Sequence, residues 1–378
     1  VTNYPIKLPM VDLKTIGAGG GSIAWVDKGG ILNVGPQSSG SSPGPACYGW
    51  GGTLPTVSDS NLILGRLNPN YFLGGKLSLY PERARTAMKK HVSRIMGVSV
   101  EEAAMGIIRI ANANMAKAIS GNSVEKGYDL REFALVTMGG AAALHSADIA
   151  RELNMDKVIV PSMSGNFSAV GLVVADIQHD YVKTYAKKEH DIDPHDLLCL
   201  LKEMEDEGIK QALEEKVPRE DIELSWSADL RYEGQSWELN TPIRVTGHLN
   251  GDDLQKIIAD FNRFHQRIYS YSEPKETVEF VNLRVRIRGR NPTITLPHEE
   301  AGGSIEACDC KAKRDVYFEG TGFLNVPIYE REQLPVGWET RGPCIVEETI
   351  STTLIPPEFR GSIDEYKNII IVPADHEV

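Results

Sequence analysis

The chain has 378 residues, of which 41% are hydrophobic and 24% are charged, a balance that excludes disordered, collagen-like and disulfide-scaffold proteins. Its formal net charge of −12 argues against binding to nucleic acid or to an anionic membrane surface. No apolar run reaches the roughly 20 residues that a membrane span needs. We therefore expect no nucleic-acid partner and no membrane partner.

The start of the chain and its cysteines bear on where the protein is located in the cell. Residues 1–5 begin without a methionine and lack the charged and apolar segments of a secretory signal. The five cysteines are odd in number and widely scattered, which favours reduced thiols and a cytoplasmic location. Because the chain enters a strand and a glycine loop almost at once, we also expect it to be part of a larger protein: a fragment, a processed chain or one subunit.

The first zone, to about residue 80, consists of short strands and glycine turns. Residues 23–26 and 31–34 flank the turn sequence at 27–30, which predicts a β-hairpin. The serine-, glycine- and proline-rich stretch 38–52 predicts a long loop of the length at which loops tend to carry function.

The second zone, residues 81–188, has an α/β pattern. Helical spacing covers 83–96, and Ser99 with Glu102 forms a capping box that opens a longer helix to about residue 120. The buried-type sequence 133–138 predicts a strand, followed by a helix at 142–153 and a strand at 157–160. Glycine at the strand-to-helix turn of such a unit is where ligands dock in α/β proteins.

The third zone, from about residue 190 to the end, predicts an α+β arrangement rich in strands. Helices are expected at 194–216 and 252–268, with strands at 224–232, 237–245 and 278–288. In residues 282–288, apolar residues alternate with arginines. This arginine face either grips an acidic partner or faces solvent, and the pattern favours solvent.

The glycine-rich segment Gly17, Gly19, Gly20, Gly21 and Ser22 is the sharpest chemical signal. Consecutive glycines leave backbone N–H groups free to face an anion such as phosphate. A dinucleotide fold would need a helix after this loop, and a P-loop would need a following Gly-Lys-Ser/Thr; neither is present. A glycine hairpin on phosphates is typical of the actin, Hsp70 and sugar-kinase ATPase folds, and a purely structural turn is the alternative.

A second glycine pair, a histidine and a cysteine lie further along the chain. Gly139 and Gly140 lie at a strand-to-helix turn, where the same ATPase folds contact adenosine, and His145 begins the next helix. Tight turns and a packed histidine are the structural alternatives. Cys47 is a loop thiol without a paired base in the sequence.

Two aspartates and an asparagine near the glycine loop suggest phosphate or metal chemistry. Asp12 precedes the loop, and Asp59 and Asn61 follow the long loop. All three are catalytic candidates, with both aspartates also candidate ligands of Mg²⁺ or Mn²⁺. Helix or turn capping is the alternative reading of these aspartates.

Several long motifs, in order, are similar to the hydantoinase A / 5-oxoprolinase family. The resemblance covers essentially the whole chain. Its motifs are Gly17 to Asp27, Gly44 to Gly49, Pro55 to Leu67, Phe133 to His145, Phe167 to Gly171, His179 to Tyr181, Val281 to Arg284, and Gly342 to Glu348.

The resemblance implies half of an actin/Hsp70-like (ribonuclease H-like) ATPase fold at 1–188, followed by a C-terminal α+β domain at 189–378. It implies a subunit that uses ATP and Mg²⁺ or Mn²⁺ to phosphorylate a carbonyl oxygen of a cyclic amide, which is then opened. Related acetone and acetophenone carboxylases apply the same activation to a ketone and bicarbonate. A non-catalytic scaffolding subunit is the third alternative.

The resemblance also implies partners and is incomplete in two places. The family's first phosphate hairpin has no counterpart here, so we expect the N-terminal half of the ATPase domain to come from a missing segment or another chain. A hydantoinase B-type subunit and a small-molecule substrate complete the expected set. The family's usual Gly-Gly-Ala-Gly-Pro-Leu-His is replaced by the sequence from Gly139 to His145, and Ser120 stands where arginine is common.

Overall fold

A computed structural model describes residues 13–123, 127–244, 248–291, 298–299 and 308–375. The strands, numbered in chain order, are β1 (Ser22–Val26), β2 (Leu32–Ser38), β3 (Leu135–Val136), β4 (Val158–Val160), β5 (Ile177–Lys188), β6 (Ile222–Tyr232), β7 (Leu239–Ile243), β8 (Val278–Gly289), β9 (Ala312–Phe318), β10 (Gly322–Glu330), β11 (Glu339–Arg341), β12 (Cys344–Glu347), β13 (Thr352–Ile355), β14 (Phe359–Ile363) and β15 (Ile369–Pro373). The helices are α1 (Val57–Ile63), α2 (Pro81–Met88), α3 (Arg94–Met96), α4 (Val100–Ser123), α5 (Ser146–Glu152), α6 (Phe167–Val174), α7 (Pro194–Glu214) and α8 (Gly251–Tyr269).

The described residues form two compact units. One, the split unit, contains residues 13–170 and the described residues from 298 to 375; the other, the inserted unit, contains 171–291. This grouping by contacts differs from the domain boundary between residues 188 and 189 that the sequence predicts. That boundary stays a proposal about domain organisation.

The split unit joins the two ends of the described chain through one sheet. Its five strands lie in the order β11-β14-β15-β4-β3, with β4 parallel to β3 and antiparallel to β15. Ile369 of β15 pairs with Val160 of β4, more than half the chain away in sequence. The strand predicted at 133–138 is shorter than expected, since only Leu135 and Val136 form strand pairs.

Helix α4 and the glycine hairpin position the first half of the split unit. The capping box is confirmed: Ser99 Oγ accepts from the N–H of Glu102, and Glu102 accepts from the N–H of Ser99. Ala103, Ile107 and Ala111 lie on the buried face of α4 in the main hydrophobic cluster. The predicted hairpin is also confirmed, since β1 and β2 pair antiparallel across the turn at 27–30.

The inserted unit is an antiparallel sheet in the order β5-β8-β6-β7, with α7 and α8 packed on it. All five elements predicted between residues 194 and 288 are present. The arginine face of β8 is neutralised within the chain: Arg284 pairs with Asp229, Arg286 with Asp180 and Arg288 with Asp176. Across the described residues, no helix has the length and apolar character that crossing a membrane would require.

The N-terminus of α8 offers a test of local stability. Asn250 accepts a hydrogen bond from the N–H of Asp253, which accepts one from the N–H of Asn250. We expect Asn250→Ala to lower the free energy of unfolding by about 1 kcal/mol, because the N–H of Asp253 loses its side-chain acceptor. Urea denaturation measures this change. Asn250→Ser, which keeps the cap, is the control, and equal stability of the two variants would contradict the assignment.

Candidate functional site

Both glycine segments singled out in the sequence line one cavity in the split unit. Its volume is about 460 Å³, within the range of small-molecule sites. Its wall comes from four parts of the chain, with these lining residues: Gly20, Gly21, Gly40, Ser41, Pro45, Tyr48, Ser58, Asn61, Leu67, Asn68, Tyr71, Phe72, Leu73, Gly140, Ala141, Leu144, Glu347, Glu348, Thr349, Ile350, Ser351 and Thr352. We call it the glycine cavity.

Within the glycine hairpin, the five predicted positions divide into two groups. Gly17, Gly19 and Ser22 hold the loop shape, because Ser22 Oγ donates to Gly17 O at 3.2 Å and accepts from the N–H of Gly19 at 3.0 Å. Gly20 and Gly21 line the cavity, and their N–H groups donate to no residue in the described ranges. Two adjacent unengaged N–H groups give this part of the wall a positive partial charge.

At the second glycine site, a positive φ accounts for Gly139 and close packing accounts for Gly140. Gly139 has φ +103° and donates its N–H to Ser164 O at 2.8 Å. Gly140 lines the cavity, and a Cβ there would lie 2.8 Å from the carbonyl oxygen of Ile350. Glycine is therefore required at 140 by the approach of the chain's own backbone.

Asp59 is buried and has a structural role in this structure. Its carboxylate accepts hydrogen bonds from the N–H groups of Ala46, Cys47 and Thr56 and from Thr56 Oγ1, at 2.7–3.2 Å. Together with Thr56 it forms the capping box of α1, so the capping alternative is confirmed. Asp59 also anchors the loop at 46–47 to this helix.

Asn61 and His145 belong to one buried hydrogen-bonded network. Asn61 Nδ2 lies 3.3 Å from His145 Nε2, and His145 Nδ1 lies 2.7 Å from Asn112 Oδ1. Asn112 Nδ2 in turn donates to Asp148 at 3.3 Å. His145 does not line the glycine cavity, so it reaches a bound ligand only through Asn61. Burial, and then the positive charge of Arg66, lower the pKa of His145 to about 3, so the imidazole is neutral at physiological pH.

Two acidic residues in the cavity wall are neutralised by the chain itself. Glu347 lies 2.8 Å from Lys311 Nζ and 2.9 Å from Arg314 Nη1. Glu348 lies 2.5 Å from Arg331 Nη1 and accepts a hydrogen bond from Ser351. The wall therefore combines neutralised carboxylates with free glycine N–H groups, an arrangement compatible with an anionic ligand.

Sequence reasoning missed the segment 347–352 and the aromatic residues Tyr71 and Phe72 as parts of the site. The motif from Gly342 to Glu348 supported the family resemblance but gave no sign that it lies beside the glycine loops. A non-local approach such as that of Ile350 to Gly140 leaves only an unexplained glycine as its trace in the sequence.

The predicted metal site gains no support from the described residues. Asp12 lies outside them, and Asp59 already accepts four hydrogen bonds. Where the structure describes the chain, no three histidine, cysteine, aspartate or glutamate residues come together in a way that could hold a metal ion. Metal binding at Asp12 and Asp59 stays a prediction. Burial raises the pKa of the Cys47 thiol well above its usual range, which argues against a thiolate nucleophile.

The sequence and the fold are those of a known class of proteins. The sequence model of the hydantoinase/oxoprolinase family matches residues 1–181, and that of the hydantoinase/oxoprolinase C-terminal domain matches residues 186–371. The chain belongs to the hydantoinase/oxoprolinase family, as its motifs indicate.

Two relatives are similar in sequence to nearly the whole chain. An uncharacterised protein of Methanocaldococcus jannaschii is 40% identical over 97% of the chain and 51% of its own length. The caprolactamase subunit alpha of Pseudomonas jessenii is 34% identical over 98% of the chain and 54% of its own length. The chain therefore spans about half the length of these curated relatives.

Two solved structures confirm the α/β fold class. The ATP-dependent caprolactamase from Pseudomonas jessenii superposes with a TM-score of 0.78 at 34% identity, covering 97% of this chain and 54% of that one. Nucleotide-free acetone carboxylase superposes with a TM-score of 0.82 at 25% identity, covering 95% and 52%.

Proposed function

We propose that this chain is the ATP-handling part of an enzyme that opens a cyclic amide such as a hydantoin, 5-oxoproline or another lactam. The observation that carries the proposal is the meeting of Gly20, Gly21 and Gly140 in one cavity. The similarity to an ATP-dependent caprolactamase supports the reaction class.

The cavity wall fits a nucleotide in its chemistry. Gly20 and Gly21 offer free N–H groups for phosphate oxygens, and Tyr48, Tyr71 and Phe72 offer apolar and aromatic surface. When bound, ATP supplies a phosphoryl group that turns an amide oxygen into a better leaving group. The chain's own contribution is to bind and orient, and to hold the wall carboxylates in ion pairs. The described residues do not fit a metal ion, and we derive no step through one.

Nucleotide binding tests the proposal directly. We expect ADP to bind the purified chain, more tightly when the remaining half that its relatives carry is supplied. Isothermal titration calorimetry should show Gly20→Val weakening ADP binding about tenfold, because a Cβ at position 20 would lie 2.7 Å from Ser58 Oγ and would disturb this part of the cavity wall. Gly251→Val, in the inserted unit where nothing lies within 4 Å, is the control. Absence of ADP binding with and without the partner half would contradict the proposal and favour a scaffolding subunit.

A second reaction is favoured by one observation, the high structural similarity to acetone carboxylase. In that case the same cavity would serve phosphorylation of a ketone enol or of bicarbonate. Measuring which compound stimulates ATP hydrolysis decides between the two. Stimulation by a lactam or hydantoin supports ring opening, and stimulation only by a ketone with bicarbonate supports carboxylation. A B-type subunit is proposed as the partner for either assay.

A further inference from the structure

The wall of the glycine cavity contains one buried acceptor without a partner. Asn61 is 2% exposed, and its Oδ1 atom accepts no hydrogen bond from any residue in the described ranges. Its Nδ2 group is fully used, lying 3.2 Å from Val57 O and 3.3 Å from His145 Nε2. A buried amide oxygen left unpaired costs about 1–3 kcal/mol, so it needs a reason.

The polarity of this asparagine is set by a chain of groups that ends at Asp148. A carboxylate can only accept, so Asn112 donates to it through Nδ2 and presents Oδ1 to His145. His145 must then carry its proton on Nδ1, which leaves Nε2 as an acceptor. Asn61 must therefore turn its amide nitrogen toward the imidazole.

A second contact gives the same orientation independently. Val57 O is a carbonyl and can only accept, and it lies against the same Asn61 Nδ2 group. Flipping the Asn61 amide would place its oxygen against two acceptors, Val57 O and His145 Nε2. The imidazole is neutral because it is buried and because the Arg66 guanidinium lies near it, so the second ring proton that would permit such a flip is absent.

We propose that Asn61 Oδ1 recognises an uncharged N–H or O–H donor on the ligand of the glycine cavity, and that His145, Asn112 and Asp148 are positioning residues that fix this polarity. The inference rests on the proposed function for the identity of the ligand. The two possible ligands share one chemical feature, a neutral hydrogen-bond donor. That donor is either the ring N–H of a cyclic amide or a ribose hydroxyl of the nucleotide, and paired ligands separate these sources.

The tautomer of His145 is the first test and needs no ligand. Long-range ¹H–¹⁵N spectra of the protein labelled with ¹⁵N-histidine should show His145 protonated on Nδ1. The signal is assigned by its loss in His145→Gln. Protonation on Nε2 would overturn the inference, because Asn61 would then present its oxygen to the imidazole. In Asp148→Asn we expect a mixture of tautomers, since the amide can also donate.

Matched ligands are the second test. One pair is a cyclic amide and its lactone, which replaces the N–H by oxygen; the other is ADP and its 2′- and 3′-deoxy forms. We expect wild type to bind the donor-bearing member of one pair about three- to tenfold more tightly. Asn61→Leu should bind both members equally. Asn325→Leu, at an exposed position outside the cavity, should keep the wild-type ratio.

The ratio of the affinities for the two members of a pair distinguishes ligand recognition by Asn61 from a merely structural role. A structural defect in Asn61→Leu would weaken both members of a pair together and leave their ratio unchanged, which would overturn the inference. If that variant does not fold, Asp148→Asn is used, with a smaller ratio expected alongside the mixed tautomer. Failure of wild type to bind any probe would contradict the proposed function as well, whereas an unchanged ratio contradicts this inference alone.

Discussion

Replacing Asp59 with alanine is expected to lower the free energy of unfolding by about 4 kcal/mol. The reason is that four donors lose their acceptor: the N–H groups of Ala46, Cys47 and Thr56 and the Thr56 hydroxyl. Each buried donor left unpaired costs about 1–3 kcal/mol, so the loss approaches the whole stability of a typical domain. Urea denaturation followed by circular dichroism measures it.

The same variant distinguishes the structural role of Asp59 from the metal-ligand role. A metal bound only by the folded protein raises its stability as the ion concentration rises. If Asp59 is a helix cap and loop anchor, the stability difference between wild type and Asp59→Ala stays the same with and without Mg²⁺. A difference that grows with Mg²⁺ would contradict the structural role. Asp206→Ala, at an exposed position on α7, is the control and should change stability by less than about 0.5 kcal/mol.

Asp59 shows how much of a residue's role a local sequence pattern can predict. The pattern Thr56-x-x-Asp59 at a helix start is a capping pattern, so the sequence leaves capping open as an alternative to metal binding. In the structure, Asp59 takes part in the capping box of α1, and its carboxylate also accepts hydrogen bonds from the N–H groups of Ala46 and Cys47. That contact depends on how the loop at 38–52 folds back, which no local pattern encodes.

The elements of the fold likewise differ in whether local sequence patterns or distant partners determine them. Helices α4, α7 and α8 and the β1–β2 hairpin follow from periodicity, caps and turn residues, which act over a few residues. The short strands β3 and β4 belong to a sheet in which β15, from the far end of the chain, pairs with β4. Periodicity cannot reveal such a partner, so no local pattern predicts that β4 and β15 lie in one sheet.

Some walls of the glycine cavity follow from local sequence patterns, and others depend on contacts between distant parts of the chain. Glycine clusters predicted the two loops, and their order along the chain predicted that they act together. The segment 347–352 closes the cavity without a recognisable ligand motif. Its place there is secured by Glu347, the last residue of β12, whose carboxylate joins Lys311 of the chain before β9 and Arg314 of β9.

Glu347→Ala is therefore expected to lower the free energy of unfolding by about 3 kcal/mol and the melting temperature by roughly 10 °C. The Glu347 side chain is only 2% exposed, and its removal leaves Arg314 with no carboxylate partner among the described residues. Lys311 keeps Glu330 at 2.6 Å, which limits the loss. Differential scanning calorimetry measures the shift. Glu347→Gln, which keeps the volume and one acceptor, should lose less.

An exposed ion pair in the same unit provides the matched control. Glu319 pairs with Arg109 at 2.7 Å, with both side chains more than half exposed, so Glu319→Ala should cost less than about 1 kcal/mol. Equal effects of the two alanine variants would contradict the assigned role of Glu347. We also expect Glu347→Ala to weaken ADP binding at a temperature where it remains folded, because β12 holds the 348–352 segment against Gly140. Unchanged ADP affinity would show that this segment is not part of the nucleotide site.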